Sequence, residues 1–348
     1  MIIQNNYNLT ELNTFRISAK AKYFVELINE AEIPELFDTE EFKNSKKLFL
    51  GGGSNVLFTK DFDGIVILNK LKGTEVLSGD NENVLVRSMG GEMWHDFVLF
   101  AVDHELWGVE NLAFIPGTVG ASPMQNIGAY GVELKDVLES VETFDIKTGE
   151  KRIFNKEECK LGYRESIFKN EVKGKYFISA VTFRLSKIPK INISYKILQE
   201  YLSKNKVEVK SPKDVSNAVE AIRRSKLPDP KVIGNAGSFF KNVFLSAEEF
   251  TKVQKKYPEM PFFEEETSDA KNGSKASVFV KIPAGWLIEQ CGWKGKRVGN
   301  VGVHEKQALV LINHGGAKGE ELLNMANDII ASVKAKFGLD LVPEVNLY

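Results

Sequence analysis

The chain has 348 residues, a length that predicts two or three domains. Its hydrophobic and charged fractions, 43% and 27%, exclude a disordered protein. The 46 Lys and Arg residues nearly balance the 47 Asp and Glu residues, and the net charge of −1 gives no general attraction to nucleic acid or membranes. No apolar run approaches the roughly 18–20 residues that a bilayer-spanning helix needs.

The first half of the chain is predicted to contain short strands joined by glycine turns. Three apolar runs that end in turn residues predict strands at 47–50, 64–69 and 84–91. Residues 92–106 have helical spacing instead, with their apolar side chains on one side. A strand pair around Thr148–Gly149 and an alternating strand at 176–185 follow.

The second half of the chain contains more predicted helices than the first. Ser211–Pro212 predicts a helix start, and Ser246 with Glu249 matches a capping box. A long helix is predicted over 319–337, ending at Gly338. The polar, lysine-rich stretch 186–211 separates the strand-rich half from the helix-containing half, and it predicts a domain boundary. Strand-rich and helix-containing segments in this order indicate an α+β fold rather than a regular βαβ array.

A glycine turn, LGGGSNVLF at 50–58, follows the first predicted strand. Glycines let backbone N–H groups approach a phosphate, and polar side chains beside them add donors. The candidate residues are Gly51, Gly52, Gly53, Ser54 and Asn55. The GxGxxG dinucleotide fingerprint is incomplete here, because its last position is Val56 and a second strand follows. The pattern leaves a tight turn and a phosphate-binding loop as alternatives.

The stretch NLAFIPGTVGASPMQNIGAYGVE at 111–133 is long and rich in glycine, proline and small residues. Long loops inside compact domains tend to be functional. Backbone amides with few side chains in the way suit a flat polar ligand that carries ring carbonyls and phosphates. The loop is therefore predicted to bind a ligand.

Three polar residues are candidates for catalysis. Arg164, in GYRESIF, forms either a surface ion pair or a bidentate clamp on a substrate carboxylate. Ser238 lies in GNAGSFFKN, where the preceding glycines leave space around its hydroxyl and two phenylalanines follow. Glu344 lies in the apolar segment LVPEVNLY, where a carboxylate is either paired, raised in pKa, or on an edge strand pointing to water.

The histidines and cysteines predict no metal site. The four histidines lack ligand spacing, and we expect His95 and His104, on the polar side of their helix, to be solvated. Cys159 and Cys291 are far apart and not in CxxC spacing, which argues against a disulfide framework or structural zinc. Two free thiols suit the reducing cytoplasm.

In these motifs the chain resembles the UDP-N-acetylenolpyruvoylglucosamine reductase family. The resemblance runs from NTF (13–15) to PEV (343–345), and it carries GGGSNVLF, IPGTVGASPMQNIGAYGVE, GYRESIF, KLPDPKVIGNAGSFFKN and AGWLIEQCG in fixed order. It implies an α+β protein with an FAD-binding region of the p-cresol methylhydroxylase (PCMH) type in two subdomains, followed by a C-terminal α+β substrate domain. We expect these three parts to be residues 1–70, 71–205 and 206–348.

The resemblance also implies roles for single residues. It implies that FAD is held by Gly51, Gly52, Gly53, Ser54, Asn55, Pro116, Gly117, Gly120, Ala121, Ser122, Gly128 and Gly131. Ser238 is implied as the proton donor, with Arg164 and Glu344 as the other catalytic residues. Tyr195 matches the mobile tyrosine loop of a longer subgroup. The uridine diphosphate part of the substrate is implied to contact Lys226, Asn242 and Gln307.

The implied reaction is the NADPH-dependent reduction of an enolpyruvyl double bond through FAD, in peptidoglycan precursor synthesis. We expect the two phenylalanines after Ser238 to shield its hydroxyl from water. Two departures from the family pattern are Asn346, where some relatives have a basic residue, and Val243, where proline is common. We expect a cytoplasmic monomer whose partners are the UDP-sugar and NADPH. The alternatives are another PCMH-type flavin oxidoreductase and a non-catalytic flavin- or nucleotide-binding module.

Overall fold

The computed structural model describes residues 1–266 and 278–348, and the chain divides into two compact units. The first unit comprises Met1–Leu12, Ala19–Ser54 and Asp61–Ser225. The second comprises Asn13–Ser18, Asn55–Lys60 and Lys226–Tyr348. Two short segments near the amino terminus therefore belong to the unit that holds the carboxyl terminus. The three-domain boundaries expected from the resemblance stay a prediction.

The secondary structure mixes helices and strands. The α-helices are α1 (Ile33–Asp38), α2 (Glu40–Asn44), α3 (Trp94–Asp103), α4 (Lys196–Lys204), α5 (Pro212–Lys226), α6 (Ala247–Gln254), α7 (Ala284–Gln290) and α8 (Gly319–Phe337). The strands are β1 (Gln4–Asn8), β2 (Lys20–Leu27), β3 (Lys46–Leu50), β4 (Val56–Leu57), β5 (Phe62–Asn69), β6 (Thr74–Gly79), β7 (Asn83–Met89), β8 (Gly128–Ala129), β9 (Val132–Glu133), β10 (Leu138–Asp145), β11 (Lys151–Asn155), β12 (Tyr176–Ser186), β13 (Gly234–Ser238), β14 (Val243–Ser246), β15 (Phe263–Glu266), β16 (Val278–Ile282), β17 (Arg297–Val298), β18 (Val301–Val303), β19 (Val310–Asn313) and β20 (Asn346–Leu347). This mixture confirms the α+β prediction.

The strands of the first unit form two main sheets. One has the order β1-β2-β5-β3, with β5 parallel to both of its neighbours. The other is antiparallel throughout, with the order β11-β10-β12-β7-β6. Phe49 of the first sheet contacts Phe177 of the second, with ring centroids 5.2 Å apart. The two sheets therefore share an apolar core.

Helices α3 and α5 cover the opposite face of the antiparallel sheet. Trp94 and Phe97 of α3 pack on Phe183 of β12, at centroid distances of 5.8 and 4.3 Å. Val215 and Val219 of α5 are fully buried in the same cluster. The apolar faces that the sequence predicts for both helices are therefore confirmed as parts of the core. This packing also fixes where α3 begins, beside the long loop described below.

The second unit contains an antiparallel sheet of order β13-β19-β18-β17 and a smaller one of order β14-β16-β15. Helix α8 buries Leu322 and Ile329 and ends at Gly338, whose φ of 74° is the left-handed conformation that favours glycine. The predicted capping box is present at the start of α6, where Ser246 accepts from the Glu249 N–H. Within residues 1–266 and 278–348, every helix falls short of the length or apolarity that a bilayer crossing requires.

Candidate functional site

The glycine turn at 51–54 packs against the long loop through bare backbone. A Cβ on Gly51 would overlap the Thr118 hydroxyl, and a Cβ on Gly52 would lie 3.0 Å from the Gly117 Cα. A Cβ on Gly117 would in turn lie 3.1 Å from the Ser54 Oγ. The glycines are therefore needed for close approach of the two loops, which the sequence alone could not show. Both predicted cofactor segments meet in the first unit.

These residues fit the diphosphate of FAD. Gly53 has a φ of 63°, and left-handed residues in such turns direct successive N–H groups toward an anion. Larger side chains are excluded from the contact between Gly52 and Gly117, so a ligand can approach the main chain there, and the hydroxyls of Ser54 and Thr118 lie beside these glycines. The donor set is neutral and backbone-rich, as many phosphate sites are.

The other predicted cofactor residues of the long loop differ in exposure. Pro116, Ala121 and Gly131 are exposed, Gly128 is half-buried, and Gly120 and Ser122 are buried. The Gly120 N–H donates to the Gly90 carbonyl at 2.9 Å, and the Ser122 hydroxyl donates to the Val119 carbonyl at 2.7 Å. Gly120 and Ser122 therefore anchor the loop, whereas the exposed residues face solvent.

Backbone strain concentrates in the predicted site segments. Nine non-glycine residues of the described chain have positive φ, and four of them, Phe114, Asn126, Tyr130 and Arg164, lie in 111–133 or 162–168. Each such residue costs about 1–3 kcal/mol, and strain of this kind clusters at functional sites. At the β8–β9 turn, Tyr130 and Gly131 both have positive φ, as a type I′ hairpin requires.

Arg164 is half-buried, and its guanidinium is fixed to the long loop. Nη1 donates to the Asn126 carbonyl at 3.3 Å and Nη2 to the Gly128 carbonyl at 3.0 Å. Its Cζ also lies 5.4 Å from the centre of the Tyr163 ring. The guanidinium therefore lies against the long loop, in a half-buried position.

A second arginine, which the sequence did not single out, lies near Arg164. Arg223 is on α5, and its Nε donates to the Phe114 carbonyl at 3.1 Å. Burial and the positive charge of Arg164 lower the pKa of Arg223, and Tyr130 acts in the opposite direction. Two cations beside one loop suit an anionic ligand. In the sequence, Arg223 is one of two adjacent arginines near the end of a helix, a pattern that does not by itself indicate a binding site.

Tyr195, the predicted substrate residue, is 45% exposed and immediately precedes α4. Its ring meets that of Tyr130 edge-on, with centroids 5.4 Å apart. Asn111, which the sequence analysis did not single out, connects the long loop to the segment that carries Tyr195. Its side-chain amide donates to the Tyr130 carbonyl at 2.9 Å and to the Asn192 carbonyl at 2.8 Å. The tyrosine loop is therefore tied to the candidate cofactor loop by a fully buried amide.

The structure brings Ser238 and Glu344 together within the second unit. Phe240 and Pro343 form an antiparallel bridge, and the Glu344 N–H donates to the Phe239 carbonyl at 2.7 Å. The Glu344 carbonyl accepts from the Asn55 side chain at 3.4 Å. A serine and a glutamate far apart in sequence thus lie on neighbouring backbone segments.

The expected shielding of Ser238 is wrong. Ser238 is exposed, whereas Phe239 and Phe240 are 0% and 1% exposed and pack into the core of the second unit. Phe239 lies 6.3 Å from Phe15 between ring centroids, and 5.1 Å from Phe240. Both phenylalanines lie just beyond the end of β13, and their buried rings anchor the segment that carries Ser238.

Two of the predicted diphosphate residues, Asn242 and Gln307, lie near the start of α7. Asn242 Oδ1 accepts from the Ala284 N–H at 3.1 Å. A Cβ on Gly285 would lie 3.4 Å from the Gln307 Oε1. Asn242 and Gln307 therefore flank the same helix terminus, and Lys226 is the last residue of α5.

The two departures from the family pattern have local structural roles. The Asn346 side chain donates to the Asn55 carbonyl at 3.1 Å, so an amide takes part in the β4–β20 pairing. Val243 begins β14 and pairs with Ile282. Among the described residues, no group of three or more His, Cys, Asp or Glu side chains is placed to hold a metal ion.

Two family models match the chain. A model described as the UDP-N-acetylenolpyruvoylglucosamine reductase C-terminal domain matches residues 229–348. A model described as an FAD binding domain matches residues 21–154. The FAD-binding match covers both the glycine turn and the long loop.

Full-length relatives carry the same name. The chain is 49% identical to UDP-N-acetylenolpyruvoylglucosamine reductase of Flavobacterium johnsoniae, covering 100% of both chains. It is 46% identical to the protein of that name from Amoebophilus asiaticus, covering 100% of this chain and 99% of the relative.

Solved structures agree on the fold. The UDP-N-acetylenolpyruvylglucosamine reductase of Thermus caldophilus matches with a TM-score of 0.66 at 20% identity, covering 100% of this chain and 99% of that one. A solvent-stable cholesterol oxidase matches with a TM-score of 0.50 at 11% identity, covering 95% and 85%. The predicted FAD-binding PCMH-type region with a C-terminal domain is confirmed. The chain belongs to the UDP-N-acetylenolpyruvoylglucosamine reductase family.

Proposed function

We propose that this protein reduces the enolpyruvyl double bond of UDP-N-acetylenolpyruvoylglucosamine to give UDP-N-acetylmuramate. The observation that carries this proposal is the 49% identity over the whole of both chains with a reductase of that name. Such identity also favours the reductase over another PCMH-type oxidoreductase or a non-catalytic flavin-binding module. The reductant is NADPH, and bound FAD supplies hydride transfer from the nicotinamide to the substrate.

We assign Arg164 to the substrate carboxylate. Hydride addition to the β-carbon of the enol ether leaves negative charge on the α-carbon, which spreads onto this carboxylate. A guanidinium fixed in place before the reaction stabilises such charge without reorganising. The two hydrogen bonds from Arg164 to loop carbonyls support this role, because they fix the position of the charge.

We assign Ser238 as the proton donor to the α-carbon. Serine is a weak acid, but a carbanion is a base strong enough to take its proton. The exposure of Ser238 supports accessibility to a substrate, and the buried rings of Phe239 and Phe240 fix the backbone that carries it. Glu344, on the paired segment, is assigned to organise this hydroxyl and its surroundings by hydrogen bonding.

We assign the uridine diphosphate to Lys226, Asn242 and Gln307, and we assign Tyr195 separately to substrate binding through its loop. The convergence of Asn242 and Gln307 at the start of α7 supports this assignment. The product is a peptidoglycan precursor, so the protein serves cell wall biogenesis and, through it, cell shape, division and the cell cycle. We propose that it works as a cytoplasmic monomer, and its two free cysteines are consistent with a reducing compartment.

The test separates the two half-reactions by stopped-flow absorbance. Ser238→Ala should leave reduction of the flavin by NADPH within about twofold of the wild type. Reoxidation by UDP-N-acetylenolpyruvoylglucosamine should slow by about 10²-fold or more, the usual contribution of a positioned acid. The matched control is Ser332→Ala, which removes a hydroxyl that donates to the Asp328 carbonyl of its own helix, α8. Equal losses in both half-reactions would reject Ser238 as the donor.

A further inference from the structure

Phe114, at the start of the glycine-rich part of the long loop, has a strained backbone conformation that side chains of two helices stabilise. Its φ is 59°, a left-handed value that is a true outlier for a bulky residue. Its N–H donates to His95 Nδ1 at 3.1 Å, and its carbonyl accepts from Arg223 Nε at 3.1 Å. Both backbone polar groups of this strained residue are thus hydrogen-bonded to side chains, one from α3 and one from α5.

The half-buried ring of Phe114 contacts side chains of the same two helices. The guanidinium of Arg224 lies over it at 4.1 Å, and the His95 imidazole meets it edge-on with centroids 5.5 Å apart. Glu220 completes the cluster, since it pairs with Arg224 at 2.7 Å and lies 3.6 Å from His95 Nε2. His95 is therefore not the solvated histidine that its place on the polar face of α3 predicted.

The first turn of α3 also binds the loop at Gly117, three residues after Phe114. The Trp94 N–H donates to the Gly117 carbonyl at 3.0 Å. Gly117 is the residue that packs against Gly52 of the glycine turn. His95 and Trp94, which are adjacent on α3, therefore hold the loop at Phe114 and at Gly117, beside the surface that fits the FAD diphosphate.

The hydrogen bond fixes the protonation state of His95. A backbone N–H is always a donor, so Nδ1 must be the acceptor and the ring proton must be on Nε2, which faces Glu220. Protonation would place a second proton on Nδ1, opposite the Phe114 N–H, and would break the contact. Burial lowers the pKa of His95, with Glu220 and Asp96 raising it and Arg224 and Arg223 lowering it further.

We propose that His95 is a positioning residue for FAD: as a neutral imidazole it holds Phe114 in its left-handed conformation and so sets the loop 114–118 against the glycine turn. This inference rests on FAD occupying these loops, as proposed above, and not on the identity of the substrate. Protonation of His95 releases Phe114, and FAD affinity falls as the pH decreases. Loss of one neutral hydrogen bond predicts a change of about three- to tenfold in affinity.

The test measures FAD release from the holoenzyme on dilution, read from the recovery of flavin fluorescence, between pH 5 and 8. In the wild type the dissociation constant should rise about three- to tenfold toward pH 5. His95→Asn supplies an amide oxygen near the position of Nδ1 and does not titrate, so it should keep tight binding with a flat pH profile. His95→Leu should bind weakly at both ends of the range.

His104→Asn is the control, because His104 directly follows the last residue of the same helix, is exposed, and its imidazole contacts the Phe100 carbonyl and ring. It should reproduce the wild-type pH profile. If His95→Asn shows the wild-type pH dependence, the proposal is wrong. It is also wrong if a folded His95→Leu protein retains wild-type affinity at pH 8. If His95→Leu does not fold, the profile of His95→Asn still decides. A protein that binds no FAD at any pH would instead reject the proposed function.

Discussion

Glu142 is the centre of a charge cluster in the antiparallel sheet of the first unit, and its removal gives the sharpest stability prediction. Its two oxygens accept from Arg87 Nε at 2.5 Å and Arg87 Nη2 at 2.9 Å. Lys151 Nζ lies 2.6 Å from Oε2. The side chains of Glu142 and Arg87 are 10% and 18% exposed, and that of Lys151 is 41% exposed. Glu142→Gln would keep the shape but turn an amide donor toward one of these cations.

The expected loss follows from the burial of the pair. Removing one partner of a buried ion pair costs about 3–5 kcal/mol. Partial exposure of Lys151 and Arg87 lets water solvate them in the variant, so we expect about 2–3 kcal/mol. At about 2–4 °C per kcal/mol for a domain of 150–250 residues, the melting temperature of the first unit should fall by about 4–12 °C at pH 7.

The effect should depend on pH. Burial alone would raise the pKa of Glu142, but hydrogen bonds from Arg87 and Lys151, with their charges, outweigh it and lower the pKa. A carboxylate with a lowered pKa in the folded state contributes stability above its unfolded pKa of about 4.3, and this contribution is lost as the pH falls through the folded pKa. The difference between wild type and variant should therefore shrink below about pH 4.

Glu139 on the same strand provides a matched control. It binds Arg184 in the same bidentate manner, at 2.9 and 3.0 Å, but these side chains are 36% and 48% exposed. Glu139→Gln should cost at most about 1 kcal/mol. Differential scanning calorimetry of both variants checks the comparison. Equal shifts for Glu142→Gln and Glu139→Gln, or a Glu142→Gln effect that persists undiminished at pH 3, would refute the reasoning.

Three further substitutions test the candidate site. Gly51→Ala forces its new Cβ into Thr118, so FAD affinity should fall at least about tenfold by fluorescence titration, the effect of about 1.4 kcal/mol; unchanged affinity would contradict the close packing of the two loops. Arg164→Met should lower kcat by about 10²-fold while the purified protein stays yellow, and loss of the colour would reassign Arg164 to the cofactor. Asn111→Leu frees the tyrosine loop, so KM for the UDP-sugar should rise more than KM for NADPH, and equal changes would argue against the loop contact.

The elements of this fold were largely predictable because their signals are local. The apolar spacing of α3, the capping box at Ser246 and the stop at Gly338 each lie within a few residues. The same holds for the composition of the glycine turn and the long loop. That these two loops meet through Gly52 and Gly117 is a tertiary fact, and no local pattern encodes it.

The site residues that the sequence missed act through partners distant in the chain. His95 was expected in water because it lies on the polar face of an amphipathic helix, and only the position of Phe114 gives that face a role. Asn111 and Arg223 bind carbonyls, which carry no residue-type signal in a sequence. The exposure of Ser238 could not be predicted because strand alternation places only one of two consecutive rings on a given face, whereas tertiary packing buries both Phe239 and Phe240.

The central claim is that this chain passes reducing equivalents from NADPH through FAD to an enolpyruvyl UDP-sugar. The most direct measurement is the visible spectrum of the purified protein under anaerobic conditions. NADPH should bleach the flavin bands, and a stoichiometric addition of UDP-N-acetylenolpyruvoylglucosamine should restore them with formation of UDP-N-acetylmuramate. A protein that is bleached by NADPH but whose bands do not return with this substrate would contradict the account.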